Sequence, residues 1–154
     1  MTSPPSAPVR TANVIGLGLV GGSIALGLRA RGWRVHGDDL HPATVERAVE
    51  LGVIDAGGLV AEAELTFVAV PVLAVADQVK RALAETTGLV TDVGSVKAQV
   101  CAACDDPRFV GGHPMAGSEL DGLDGVDADM FNGAIWVLTP LSDSDDVTLT
   151  QVST

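Results

Sequence analysis

The chain has 154 residues, of which 47% are hydrophobic and 19% charged, enough apolar material for one core and too much for a disordered chain. Nine Lys and Arg against 20 Asp and Glu give a formal net charge of −11, which excludes nucleic acid and anionic membrane surfaces as natural partners, because both require clustered cations. No Tyr, 2 Trp and 3 Phe leave no stacking platform for single strands, and the longest apolar run, residues 65–76, carries a proline and falls short of the roughly 20 residues a bilayer needs.

Residues 1–9, rich in Pro and Ser, read as a flexible N-terminus without the apolar stretch of a signal peptide. TANVIG (11–16) reads as a strand. Residues 19–31 read as a small-residue helix closed by Gly32. RVHGD (34–38) is the second strand, and residues 42–51 form a helix with Pro42 at its first position and Gly52 after its end. LTFVAV (65–70) is the third strand. The helix over 72–85 carries a core stripe of Val72, Val75, Val79 and Leu83. LVTDV (89–93), a short helix over 95–103, FVGG (109–112), a polar Asp- and Gly-rich stretch over 119–133 and AIWVLTP (134–140) complete the pattern. Strands alternating with helices predict a Rossmann-type, doubly wound α/β domain over 10–140, with a mainly parallel sheet and right-handed crossovers. The strands lack strict apolar–polar alternation, as expected where both faces are buried. Residues 141–154 read as an acidic tail that begins a further element.

Three glycine-rich segments carry the chemistry. Gly16, Gly18 and Gly21 form G-x-G-x-x-G between a strand and a helix, where the first glycine permits a tight turn, the second lets the backbone approach a pyrophosphate, and the third lets the helix pack on the sheet. Leu19 and Val20 open the helix, whose free N–H groups and positive dipole end face the phosphates. Asp39 follows at about the 20-residue distance at which a carboxylate meets the ribose hydroxyls of NAD and repels a 2′-phosphate; the neighbouring Asp38 is the alternative. Pro71, at the end of the third strand, is counted with the cofactor-binding positions. DVGSVK (92–97) and GGHPMAGSE (111–119) each follow a predicted strand, and all these segments are expected to converge at the carboxyl edge of the sheet. Within them, Ser95 fits a helix cap as well as a site residue. His113, before Pro114, is expected on an extended loop, either as an acid–base residue or as a hydrogen-bonded loop histidine. Lys97 reads first as a surface lysine and Glu119 as a helix-start carboxylate. Cys101 and Cys104 form a lone C-x-x-C, half a zinc site at most, so no metal is expected; without a signal peptide the expected setting is cytoplasmic and reducing.

In this order, GLGLVGGS with Asp39, DVGSVK and GGHPMAGSE resemble the prephenate dehydrogenase family, which includes the related arogenate dehydrogenases. The likeness spans roughly residues 11–140 and implies its N-terminal nucleotide-binding domain. It implies NAD as cofactor and oxidative decarboxylation of prephenate to 4-hydroxyphenylpyruvate and CO2, a step of tyrosine biosynthesis. By that resemblance, His113 takes the proton of the 4-hydroxyl as hydride leaves the same carbon. Ser95 orients His113 and the hydroxyl, and Lys97, Ser118 and Glu119 stand on the substrate side. A neutral His113 is needed, so acid should suppress turnover. Family members continue into a helical domain that supplies the dimer interface and an arginine for a substrate carboxylate. The chain is therefore expected to be part of a longer, homodimeric enzyme, or on its own an NAD-binding module without catalysis. The sequence does not choose between prephenate and arogenate. Another Rossmann oxidoreductase, such as a 3-hydroxyacid dehydrogenase, would share the glycine loop but has no reason to carry GGHPMAGSE.

Overall fold

The computed structural model describes residues 7–93, 106–115, 126–128 and 135–140. Its strands are β1 (Thr11–Ile15), β2 (Arg34–Asp38), β3 (Ala56–Gly57), β4 (Leu65–Val68), β5 (Leu89–Asp92), β6 (Phe109–Met115) and β7 (Ile135–Pro140). Its helices are α1 (Leu19–Ala30), α2 (Pro42–Glu50) and α3 (Val75–Glu85). Among the described residues the strands form one seven-stranded sheet in the order β3-β2-β1-β4-β5-β6-β7. β1 to β6 pair in parallel, and β7 runs antiparallel to β6. The architecture is the Rossmann-type doubly wound sheet.

β1 decides where the two layers sit. Successive side chains of a strand point to opposite faces. Val14 packs with Ile24, Ala25, Val35 and Ala48, beneath α1 and α2. Ile15 packs with Val68, Val75, Val79 and Phe109, beneath α3. With both faces covered, Ala12 to Ile15 are all buried, which is why this strand shows no alternation. Both α1 and α2 end in the same left-handed glycine geometry: Trp33 N–H donates to Leu28 O (3.1 Å) past Gly32 (φ +86°), and Val53 N–H donates to Ala48 O (2.8 Å) past Gly52 (φ +73°).

The structure differs from the sequence reading at several places. β3 was not anticipated; at two residues it is too short to show a pattern. The third helix begins as a 3-10 turn, Val72–Ala74, and Val72 is 47% exposed, so the core stripe starts at Val75. β6 runs on to Met115 instead of stopping at Gly112, and it gains an antiparallel partner there. The helix expected over 95–103, most of the stretch 119–133 and the tail 141–154 lie outside the described residues.

The connection from β3 to β4 has no helix and is held instead by a side chain. Asn13, fully buried in the middle of β1, donates from Nδ2 to Val60 O (2.9 Å) and to Thr66 Oγ1 (3.2 Å), and its Oδ1 accepts from Val60 N–H (2.9 Å). The amide thus satisfies both backbone groups of Val60, as a neighbouring strand would. Asn13→Ala should lower unfolding free energy by about 2–4 kcal/mol, because it strands polar groups against a dry sheet. Urea unfolding of the variant checks this.

Candidate functional site

The sheet order places β1 between β2 and β4, so the chain leaves β1 in one direction and returns on the other side. The crevice at such a switch point opens at the carboxyl ends of the strands. Gly16, Asp39 and Pro71 stand there, directly beyond or close to the ends of β1, β2 and β4.

The three glycines of the loop have different causes. Gly16 sits at φ +94°, and a Cβ there would overlap the Ala69 carbonyl oxygen and lie 2.7 Å from Ala69 C. A Cβ on Gly21 would overlap the Gly16 carbonyl oxygen and lie 3.2 Å from Ala69 Cβ. Both positions are therefore glycine because of the fold. Gly18 is extended (φ −78°, ψ −156°), exposed, and a Cβ there would meet nothing within 4 Å. Nothing within the described chain requires glycine at this position. Gly18 caps α1, whose first turn has no side-chain cap and no acidic residue. Leu19 and Val20 are half-buried in that turn. The first helical bond, Gly22 N–H to Gly18 O, is 2.8 Å.

Two adjacent carboxylates end β2 and diverge. Asp38 Oδ2 accepts from Arg81 Nη1 at 2.7 Å, on the α3 side of the sheet. That bond is the main reason the Arg81 guanidinium is pushed up from its ordinary pKa. Asp39 turns to the loop: Oδ2 accepts from Leu17 N–H (2.9 Å) and Oδ1 from His41 N–H (2.9 Å). Of the two acids, Asp39 is the one against the glycine loop.

Beyond β4, Pro71 leads into the 3-10 turn, with Ala74 N–H donating to Pro71 O (2.9 Å). Pro71 is exposed, and so are Leu73 (92%) and, after Asp39, Leu40 (89%). Unlike Pro71, the apolar side chains of Leu40 and Leu73, which face water at the carboxyl edge, carry no role in the sequence reading. The signal was available: Leu40 and Leu73 each come shortly after a strand end, where a polar turn residue is the usual choice.

Asp92 opens the DVGSVK segment, but the sequence assigns it no role of its own. It is fully buried at the end of β5, and its Oδ1 accepts from Gly112 N–H (3.2 Å). The β5–β6 ladder ends at Thr91 and Val110, so this carboxylate takes over where backbone pairing stops. On the other side β6 pairs with β7, Gly112 opposite Leu138 and His113 opposite Val137. The backbone at His113 therefore belongs to a strand paired with β7, one residue beyond the Asp92 bond to Gly112, and not to a loop as expected. β5 stops before Pro114, so no ladder bond is asked of the proline on that side. Ser95, Lys97, Ser118, Glu119, Cys101 and Cys104 lie outside the described residues. On the outer side, Ser23 of α1 is buried and its Oγ accepts from Asp127 N–H (3.0 Å).

Residues 24–154 match the family model described as prephenate dehydrogenase, nucleotide-binding domain. The chain belongs to the prephenate dehydrogenase family. It is 36% identical over 152 residues to the prephenate dehydrogenase of Bacillus subtilis, covering 89% of this chain and 41% of that protein. Among solved structures, Synechocystis arogenate dehydrogenase superposes with a TM-score of 0.85 at 32% identity, over 93% of this chain and 54% of the other. A prephenate dehydrogenase from Aquifex aeolicus, in complex with hydroxyphenyl propionate and NAD+, gives 0.86 at 30% identity, over 97% and 57%. The chain thus spans about two-fifths of the length of its curated relatives. Among the described residues no helix is long and apolar enough to cross a membrane.

For this family member the glycines separate by experiment. Gly21→Ala should destabilise the fold by about 3 kcal/mol or more, through overlap with the Gly16 carbonyl. Gly18→Ala should cost at most about 1 kcal/mol, the ordinary loss at a helix cap. Thermal and denaturant unfolding of the two variants side by side reads the contrast.

Proposed function

We propose that this chain is the NAD-binding half of a dehydrogenase that converts prephenate to 4-hydroxyphenylpyruvate and CO2. The observation that carries the reading is Gly18: a glycine for which the described residues give no cause, on a helix N-terminus without a side-chain cap, at the switch point of the sheet. A Cβ at Gly18 would fill the space into which a pyrophosphate must come. The residues present fit the dinucleotide in charge and shape. The α1 N-terminus suits the phosphates. Asp39 suits the unphosphorylated ribose, and the exposed Leu40, Pro71 and Leu73 suit a flat apolar base. NAD is therefore preferred over NADP.

When bound, the nicotinamide supplies the hydride acceptor that no side chain provides. The chain's own residues do the rest. His113 accepts a hydrogen bond from the substrate's 4-hydroxyl and takes its proton as the carbonyl forms; loss of the ring carboxylate as CO2 leaves the aromatic product. Ser95 orients His113 and the hydroxyl, and Lys97, Ser118 and Glu119 contact the substrate's polar groups. The Asp92 bond to Gly112 supports this assignment, because it fixes the backbone next to His113. A homodimeric, cytoplasmic enzyme belongs to the same reading. Arogenate is the alternative substrate, favoured by the Synechocystis neighbour. An NAD-binding module without catalysis of its own is favoured by the 41% of the Bacillus enzyme that this chain covers.

Absorbance of reduced nicotinamide, followed with prephenate or arogenate and with NAD or NADP, tests the reading. Turnover with NAD and one substrate is expected once the remainder of the enzyme is joined to the chain. His113→Asn should then cut kcat by about 100-fold or more with NAD affinity unchanged. Unchanged turnover in that variant would remove His113 from the chemistry, and NAD binding without turnover by any form would leave the binding-module reading.

A further inference from the structure

Both oxygens of the Asp39 carboxylate are engaged by the chain itself. Oδ2 accepts from the N–H of Leu17, the residue between the first two glycines of the loop, and Oδ1 from the N–H of His41, the cap of α2. Leu17 is fully buried, so its side chain and its N–H fix the turn from two directions. Among the described residues no cation pairs with Asp39, while its neighbour Asp38 is held by Arg81. The Asp39 charge is met by backbone donors, and such charge-assisted bonds are the stronger kind.

We propose that Asp39 is a positioning residue for the glycine loop in addition to a ribose contact. Its carboxylate sets the loop and the start of α2 in one geometry before any ligand arrives. The proposal rests on the dinucleotide reading for its ribose half only; the brace belongs to the free chain. A carboxylate offers about four acceptor sites, so two backbone N–H groups leave room for ribose hydroxyls on the same oxygens. One side chain then governs both the shape of the phosphate cradle and the exclusion of a 2′-phosphate. The consequence is specific. Replacing Asp39 by a neutral residue removes the repulsion toward NADP but also releases the loop that any dinucleotide needs, so the NAD affinity lost is not returned as NADP affinity.

Backbone amide exchange on the full chain without ligand, with calorimetric titration of NAD and NADP, tests this in the parent, Asp39→Asn and Asp39→Ala. In Asp39→Ala the Leu17 and His41 amides should exchange at least about tenfold faster while β1 amides keep their rates. Asp39→Asn, which keeps one acceptor oxygen, should release one of the two amides more than the other. NAD affinity should fall by a larger factor than NADP affinity rises. Unchanged exchange at Leu17 and His41 in Asp39→Ala, or NADP bound by it as tightly as the parent binds NAD, would overturn the brace. If Asp39→Ala fails to fold, Asp39→Asn decides alone: faster exchange at either amide with β1 unchanged supports the brace, and no change overturns it. A parent that binds neither nucleotide while the amides still respond would sink the dinucleotide reading and leave the brace standing.

Discussion

The close approach of β1, α1 and β4 at one point is the constraint on which the rest of the structure depends. The carbonyl of Ala69 and the carbonyl of Gly16 occupy the places where side chains of residues 16 and 21 would stand. Without a side chain at either position, the chain turns out of β1 at φ +94° and α1 starts directly against the sheet. That proximity brings the α1 N-terminus to the carboxyl edge, beside the ends of β2 and β4. The bond from Ala69 N–H to Ile15 O (2.7 Å) and that from Gly16 N–H to Asp38 O (2.8 Å) tie the turn to both neighbouring strands. A loop held this tightly reaches its ligand-ready shape without paying ordering entropy at the moment of binding, which is the general advantage of a preorganised site.

Polar side chains complete what the backbone leaves open. Asn13 stands in for a missing strand over Val60, Asp39 joins the glycine loop to α2, and Asp92 extends β5 by one bond toward Gly112. Asn13 reaches from the middle of β1 to the unhelical crossover, and Asp39 and Asp92 sit at strand ends, where ladder pairing gives out. Each is a carboxylate or amide that accepts from a backbone N–H in a half-buried or buried setting, and removing any of them would leave an unsatisfied donor. The carboxyl edge of the sheet is therefore stiffened at Asp39 and Asp92 by side-chain bonds to backbone N–H groups.

Much of this was legible in the sequence, for identifiable reasons. The central strands are apolar runs flanked by turn residues, and Gly32 and Gly52 mark two helix ends that the structure closes with left-handed glycines. The glycine loop was readable because strand, glycines, helix and acid occur in register. What escaped depends on long-range pairing. β3 exists only because Ala56 and Gly57 lie beside His36 and Gly37. The direction of β7 leaves no trace in its composition, and its pairing extends the strand past Gly112 through His113 to Met115, where a loop was expected. Val72 fitted a helical stripe, but the chain is still turning there, so it faces water. The choice between Asp38 and Asp39 needed geometry, since strand alternation sends neighbouring side chains to opposite faces.

The central claim is that Gly18 is kept small for a ligand and not for the fold. Isothermal titration of NAD into the parent chain and into Gly18→Val, with the unfolding transition of each recorded, tests it most directly. The account predicts that the parent binds NAD, and that the variant folds with nearly the same stability and binds at least about 100-fold more weakly. Equal binding by the two, or a variant that fails to fold, would contradict it.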